Sequence, residues 1–496
     1  MELYMFVPSL LLLLLVLSFF HRSPTRNLPP GPTGLPILGS LLGLGSHPNQ
    51  SLYELSKLYG PIMTLRLGSV TTIVVSSPEA AQQVLQIHDR TFSDRYVPDV
   101  ITSQPNPEAT LAWVPGDHRW RSRRRICSTQ LFSVPRLNSL QHLRHQKVQQ
   151  LVLHIKKHCV SGSQVDIGQI AFATTLNLMS NTIFSIDIVD PEFNTAQEFK
   201  DLIWSIMEDA GKPNLSDYFP VFRRFDFQGI KRHIRSAYLR LHQVFDEIID
   251  KRLESRKLGL ETNNGDFLDV LLDQCQVDGS DFNRQTIKPL ILDLFIAGSD
   301  TSAITTEWAM AELLKKPDIL QKAKKELTDV IGTGQEVKES DIDRLPYLQV
   351  VVKETMRLHP AVPLLLPYKA RNGVQVCGYT IPAKDTQVLV NAWAISRDPN
   401  YWNDPFTFFP ERFLGTNLDY KGQDFEYIPF GAGRRICPGL PLALRMVHLM
   451  VASIINSFDW KLPEGTSPEN LDMEEQFGVT LKKAVPLCAV PILEKK

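Results

Sequence analysis

The chain has 496 residues, 43% of them apolar and 22% charged, a globular composition that excludes a mainly disordered chain and a many-pass membrane protein. Lysine and arginine total 53 against 54 aspartate and glutamate, a formal net charge of -1, so no global field selects nucleic acid or acidic ligands. Six cysteines (Cys127, Cys159, Cys275, Cys377, Cys437, Cys488) without a CxxC pair or framework spacing point to reduced thiols facing the cytosol.

From Leu3 to Phe20 the chain is almost wholly apolar, and His21, Arg22 and Arg26 follow. Eighteen helical residues rise roughly 27 Å, enough for a thin bilayer. Glu2 in place of a basic n-region, and no small-x-small site before Arg22, distinguish this from a cleaved secretory signal. The flanking cations place the body on the cytosolic side, where the sequons at Asn49 and Asn214 stay unglycosylated. The expected division is a membrane anchor at 1-21, a basic and Pro-rich hinge at 22-40, and one domain at 41-496. In the hinge, Pro29-Pro30-Gly31-Pro32, Gly34, Pro36 and Gly39 read as a stiff non-helical spacer.

Pro61 to Ser77 reads as a hairpin turning at Gly68-Ser69. Ser77-Pro78-Glu79 opens a helix with a serine cap, a proline at the first position and an acid in the first turn. From there to about residue 360 the pattern is mainly helical. The longest helix candidate runs from near Pro289 to Lys315, about 40 Å, enough to cross a domain. From Val374 onward short strands and Pro-rich turns lead into one more helix, from about Leu440 to Phe458. The fold class expected is mainly α with a minor β subdomain. His154, His158 and Cys159 lack a fourth ligand and read as a solvated helix face. Gly39, Gly43 and Gly45 make no dinucleotide fingerprint.

Phe430-Gly431-Ala432-Gly433-Arg434-Arg435-Ile436-Cys437-Pro438-Gly439 sets a cysteine among glycines and arginines, just before a helix. Such surroundings keep a thiolate ionised, and the glycines let backbone pass close to something flat. The stretch resembles the haem-binding signature of the cytochromes P-450, F-x-x-G-x-R-x-C-x-G, matched at Phe430, Gly433, Arg435, Cys437 and Gly439. The resemblance implies the P-450 fold with a single N-terminal transmembrane helix, haem b ligated through its iron by Cys437, and 41-496 as a haem-thiolate monooxygenase domain.

Three further motifs carry the same resemblance. Glu354 and Arg357, three apart on one helix face, with Arg412 in Pro410-Glu411-Arg412-Phe413, resemble the family's structural Glu-Arg-Arg network. Ala297-Gly298-Ser299-Asp300-Thr301-Ser302, inside the long helix, resembles its acid-alcohol pair. By that likeness Asp300 and Thr301 supply protons on the oxygen-binding side, and Cys437 donates electron density from the other. Trp120 and Arg124, at i, i+4 spacing, resemble the W-x-x-x-R helix that bonds a haem propionate. Five arginines lie between Arg119 and Arg125, without the wider basic field of a nucleic-acid site; Arg121 and Arg125 are expected to face an acidic electron donor.

The likeness spans the whole chain. Stretches 210–220, 430–445 and 471–487 resemble the plant geraniol 8-hydroxylase and ferruginol synthase subfamily, whose members oxidise monoterpene alcohols or abietane diterpenes, with some accepting aromatic substrates. By position the pocket walls include Ala297, Val362, Leu365 and Val479, a lining that suits a hydrophobic terpenoid better than a charged amino acid. Two positions depart from the subfamily. Tyr368 stands where relatives carry an arginine toward a propionate, with Lys369 as a candidate substitute, and Pro289 implies a later helix start or a kink.

The function expected is hydroxylation of a terpenoid, geraniol or an abietane diterpenoid, with O2 and electrons from NADPH through NADPH-cytochrome P-450 reductase, with cytochrome b5 as a further donor. The expected location is the endoplasmic reticulum membrane, catalytic domain cytosolic. An oxygen-independent haem-thiolate isomerase is the rival class, and the Asp300-Thr301 pair argues against it.

Overall fold

The structure, a computed structural model, describes residues 27–189, 195–259, 265–383 and 386–493. The anchor expected over 1-21 and the first part of the hinge lie outside these residues. The Pro-rich stretch that follows is non-helical and lies along the first strand. Thr64 N donates to Pro30 O at 2.8 Å and Ser40 N to Arg66 O at 2.7 Å, so residues 30–40 pack onto the globular body.

The helices that position the site are α1 (His118–Gln130), α2 (Gln141–Ser161), α3 (Ile167–Phe184), α4 (Thr195–Gly211), α5 (Arg284–Lys315), α6 (Pro346–Leu358) and α7 (Leu440–Ser457). Beside them stands a five-stranded sheet of β1 (Ile62–Leu67), β2 (Val70–Val75), β3 (Asp94–Arg95), β4 (Tyr368–Lys369) and β5 (Thr386–Val390), in the order β1-β2-β5-β4-β3. The β2–β5 pair is parallel, and the expected 61–77 hairpin is β1–β2, paired Leu67↔Val70 at its turn. Near the C-terminus β6 (Glu475–Phe477) and β7 (Leu481–Lys483) form a hairpin with residues 478–480 at its tip. Ser77 caps its helix as expected, accepting from Ala80 N at 3.3 Å.

α5 crosses the core against α3 and is buried along almost its whole length. It begins at Arg284, five residues before the expected start, because Asn283 and Thr286 form a reciprocal capping box. Pro289 therefore sits inside the helix, where it removes only the bond its N–H would have given the Gln285 carbonyl. The later start read from Pro289 is overturned by this cap. α7 is long and apolar enough to cross a membrane, but two-thirds of it is buried inside the protein. Both sequon asparagines are buried, Asn49 completely and Asn214 as the cap of the short Leu215–Tyr218 helix, so neither offers a surface for a glycan.

Candidate active site

The cysteine loop turns twice through left-handed glycines, Gly431 at φ 69° and Gly433 at φ 65°. A Cβ on Gly433 would fall 1.7 Å from the Leu85 carbonyl oxygen, so this position admits no side chain. Gly433→Ala should lower the unfolding temperature, the left-handed strain alone costing about 1–3 kcal/mol. The turn lets Cys437 N bond the Phe430 carbonyl at 3.0 Å, and the sulfur meets the backbone N–H groups of Gly439 and Leu440 at the start of α7. Burial pushes the Cys437 thiol up; the two amides and the nearby Arg124 guanidinium oppose that push.

Three guanidinium groups converge beside the loop. Arg435 donates to the carbonyls of Ser93 (2.8 Å), Leu111 (3.4 Å) and Val114, and stacks over the Trp120 ring at 4.4 Å. Arg95 donates to the Leu366 (2.8 Å) and Ala112 (3.3 Å) carbonyls and lies over the Tyr368 ring at 4.3 Å. Arg124, one turn beyond Trp120 on α1, completes the group. Among the described residues none of the three contacts a carboxylate. Burial, then Arg95, hold Arg435 down to about 9, so a negative group placed among these cations would be favoured there. A thiol held toward backbone donors, with cations waiting for negative charge, fits a haem: iron for the sulfur and propionates for the arginines. Arg95 is the member that sequence reasoning missed, since Ser93-Asp94-Arg95 carries no motif. It lies over Tyr368, the position at which the resemblance leads one to expect an arginine. Lys369 does not substitute: strand alternation leaves it exposed while Tyr368 is buried.

On α5, Thr301 Oγ donates back to the Ala297 carbonyl at 2.8 Å. Ala297 is exposed and Thr301 half-buried in the middle of a helix that is mostly buried, and at i, i+4 they share one accessible face. Gly298 packs on Met179, whose sulfur would lie 2.8 Å from an added Cβ. Asp300, the next residue toward the core, is buried and accepts from Thr480 Oγ at 2.8 Å. Burial pushes its carboxyl up to about 6, while Thr480, Lys482 and Lys200 pull the other way. Because the folded value lies above the ordinary 3.8, the folded protein holds this proton where the unfolded chain releases it. Stability is therefore lost as pH rises from about 4 to 6, on the order of 3 kcal/mol by pH 8. Asp300→Asn removes the charge that must be buried. Its unfolding temperature should exceed that of the unaltered protein at pH 8, the gap shrinking between pH 6 and pH 4.

The expected ionic network closes around α6. Arg357 is fully buried and donates to both Glu354 oxygens, at 2.7 and 2.8 Å. Its remaining donors reach the carbonyls of Ser396 (2.7 Å), Pro405 (2.8 Å) and Thr407 (3.2 Å). Arg412 Nε joins Glu354 at 3.0 Å, and Phe409 N adds a fourth bond at 2.8 Å.

A cavity opens between the five-stranded sheet, the end of α4 and the β6–β7 tip. Leu364, Leu365 and Leu366 line it with Trp113, Phe477 and Val479. Leu365 adopts a left-handed φ of 49°, a strained turn that brings three consecutive leucines to one cavity. Of the four pocket residues expected, Leu365 and Val479 line this cavity; Ala297 lies on the accessible face of α5, and Val362 holds the turn by accepting from Leu365 N at 3.2 Å. Asp293, two turns before Thr301, accepts from the backbone N–H groups of Leu111 (2.6 Å) and Ala112 (2.9 Å), so Leu111–Val114 hangs between α5 and the arginines. Neither Asp293 nor Thr480 has a sequence motif, and only the packing exposes their roles. Of the arginines on α1, Arg121 and Arg125 are exposed and Arg123 is buried. His158 bonds Ser163 Oγ at 2.7 Å.

The comparisons agree with this geometry. The family model for cytochrome P-450 matches residues 29–487. The chain is 52% identical to geraniol 8-hydroxylase of Catharanthus roseus over 474 residues, 96% of this chain and 95% of the relative. It is 50% identical to geraniol 8-hydroxylase of Swertia mussotii over 474 residues, with the same coverage, and 46% identical to drimenol monooxygenase of Persicaria hydropiper over 476 residues, 96% of this chain and 94% of the relative. A loop built to present one cysteine, arginines awaiting an anion, and a match along almost the whole length lead to one conclusion: the chain belongs to the cytochrome P-450 family, monooxygenases that bind haem through a cysteine thiolate and draw NADPH electrons through a reductase.

Proposed function

We propose that this chain is a terpenoid hydroxylase of the endoplasmic reticulum membrane, anchored by residues 1-21, that oxidises a monoterpenoid alcohol such as geraniol. The balance is RH + O2 + NADPH + H+ → ROH + H2O + NADP+. Haem, when bound, supplies the oxygen and electron chemistry. Cys437 would hold it as thiolate ligand, and Trp120, Arg124, Arg435 and Arg95, beside Tyr368, would hold its propionates, while the Phe430 carbonyl accepts from the cysteine backbone N–H. Asp300, buried and titrating near 6, would take up and pass on the proton that leaves in the product water. Thr301, bonded back to the Ala297 carbonyl, shares the accessible face of α5. Exposed Arg121 and Arg125 offer the acidic reductase, and cytochrome b5, a cationic docking edge.

The observation that carries the substrate class is the apolar wall of Leu364, Leu365, Leu366, Phe477 and Val479, which favours a hydrocarbon skeleton by burial. Lys212 and Asp217 line the same cavity and leave room for a polar end. Whole-length likeness to two geraniol 8-hydroxylases supports the same reading. The test is NADPH-dependent turnover in reductase-containing microsomes, with geraniol and an abietane diene in competition. Hydroxygeraniol alone is the expected product. Oxidation of the diene alone moves the protein to the diterpenoid branch, and inertness toward both removes the terpenoid assignment.

A further inference from the structure

The tip of the β6–β7 hairpin is tied to α4, to α5 and to the chain just after α6. Val479 N donates to the Met207 carbonyl of α4 at 2.9 Å, and Leu481 N to the Ala361 carbonyl at 3.0 Å. The Leu481 carbonyl accepts from Trp308 Nε1 of α5 at 3.2 Å. Gly478 meets α4 so closely that a Cβ on Gly211 would lie 2.5 Å from its carbonyl carbon. Within this pinned turn, Val479 lines the cavity and its neighbour Thr480, wholly buried, donates its hydroxyl proton to Asp300 Oδ2 at 2.8 Å. Among the described residues Thr480 is the one hydrogen-bond partner of that carboxyl. The charged groups facing it, Lys482 of β7 and Lys200 of α4, act through space without bonding it. Lys482 instead stacks its ammonium over the Trp204 ring at 3.7 Å.

We propose that Thr480 is a positioning residue: its hydroxyl fixes the aim of the Asp300 carboxyl, and its place beside Val479 makes that aim depend on whether the pocket is occupied. The inference rests on the role given above to Asp300 as proton holder. A substrate pressing on Val479 bears on the three-residue tip 478–480, and through it on Thr480, the one donor to Asp300 among the described residues. Productive turnover consumes two electrons and two protons as RH + O2 + 2e− + 2H+ → ROH + H2O. When the proton is misdirected, the same electrons leave as O2 + 2e− + 2H+ → H2O2 and the substrate is unchanged. A hydroxyl that holds Asp300 on target therefore sets how many electrons reach product.

The experiment compares Thr480→Val, which keeps the shape and removes the hydroxyl, with Thr480→Ser, which restores it, in full-length enzyme with reductase and geraniol as probe. Thr480→Val should lower product per NADPH about three- to tenfold, the worth of one hydrogen bond, with a matching rise in peroxide. KM should stay within about twofold, since a hydrogen bond and not the wall has changed. Thr480→Ser should recover most of the yield. A second readout needs no turnover: the infrared band of the buried carboxyl, identified by its absence in Asp300→Asn. Its midpoint, near pH 6 in the parent, should move up in Thr480→Val because the donor that favours the charged form is gone. Geraniol should shift the band in the parent but not in Thr480→Val. Unchanged yield and midpoint in Thr480→Val overturn the proposal. If Asp300→Asn itself turns over normally, the role of Asp300 fails, and the inference built on it falls with it; a loss of about 100-fold there separates the two cases.

Discussion

Alanine at Glu354 should leave little folded protein at 37 °C. The carboxylate is completely buried and accepts four bonds, two from Arg357, one from Arg412 and one from Phe409 N. Removing it strands two guanidinium groups in the interior with only carbonyl partners. Breaking a buried ion pair from one side costs about 3–5 kcal/mol, a large part of the 5–15 kcal/mol that a folded protein has in total. The yield of soluble protein and the unfolding temperature should both fall, and Glu354→Gln, which keeps an acceptor oxygen, should fall less. Asp329→Ala is the contrast. It breaks an exposed pair with Lys325 at 2.5 Å and should change stability by less than about 1 kcal/mol. Equal losses in the two variants would mean that burial is not what makes the network strong.

Serine at Cys437 should abolish product formation while the chain still folds. The substitution keeps the size of the side chain and the bond from residue 437 N to the Phe430 carbonyl. What it removes is a soft sulfur that a metal can hold as thiolate against the upward push of burial. A serine hydroxyl facing the same Gly439 and Leu440 amides stays protonated and hard. Circular dichroism should be unchanged, turnover should drop to background, and the carbon-monoxide difference spectrum should lose its thiolate signature. A retained thiolate signature would place the ligand at another cysteine. Cys127, whose thiol burial pushes up to about 12 deep in the core, is a poor substitute.

Much of the site was legible in the sequence because its chemistry is local. The cysteine loop needs glycine at Gly433 and a thiol at Cys437 within a few residues, whatever the rest of the chain does. Glu354 and Arg357 stand three apart on one helix, so their pairing is written in the 3.6-residue period. The partner from residue 412 was legible only through the resemblance, since nothing local brings it back to α6. The start of α5 was misplaced because Pro289 reads as a boundary, whereas the Asn283–Thr286 box six residues earlier outweighs the single bond that the proline forgoes.

The sequence alone determined the mainly helical pattern and the glycine-rich cysteine loop, which depend on residue type at short spacing, and through its resemblance to the P-450 signature it carried the haem-thiolate assignment. Tertiary structure decided the rest. It placed Arg95 rather than Lys369 in the cation cluster, hung Leu111–Val114 from Asp293, and set Thr480 against Asp300 across 180 residues of chain. Those contacts join groups that no period or motif relates. Buried polar atoms must find partners wherever the packing delivers them, and the packing is a property of the whole chain.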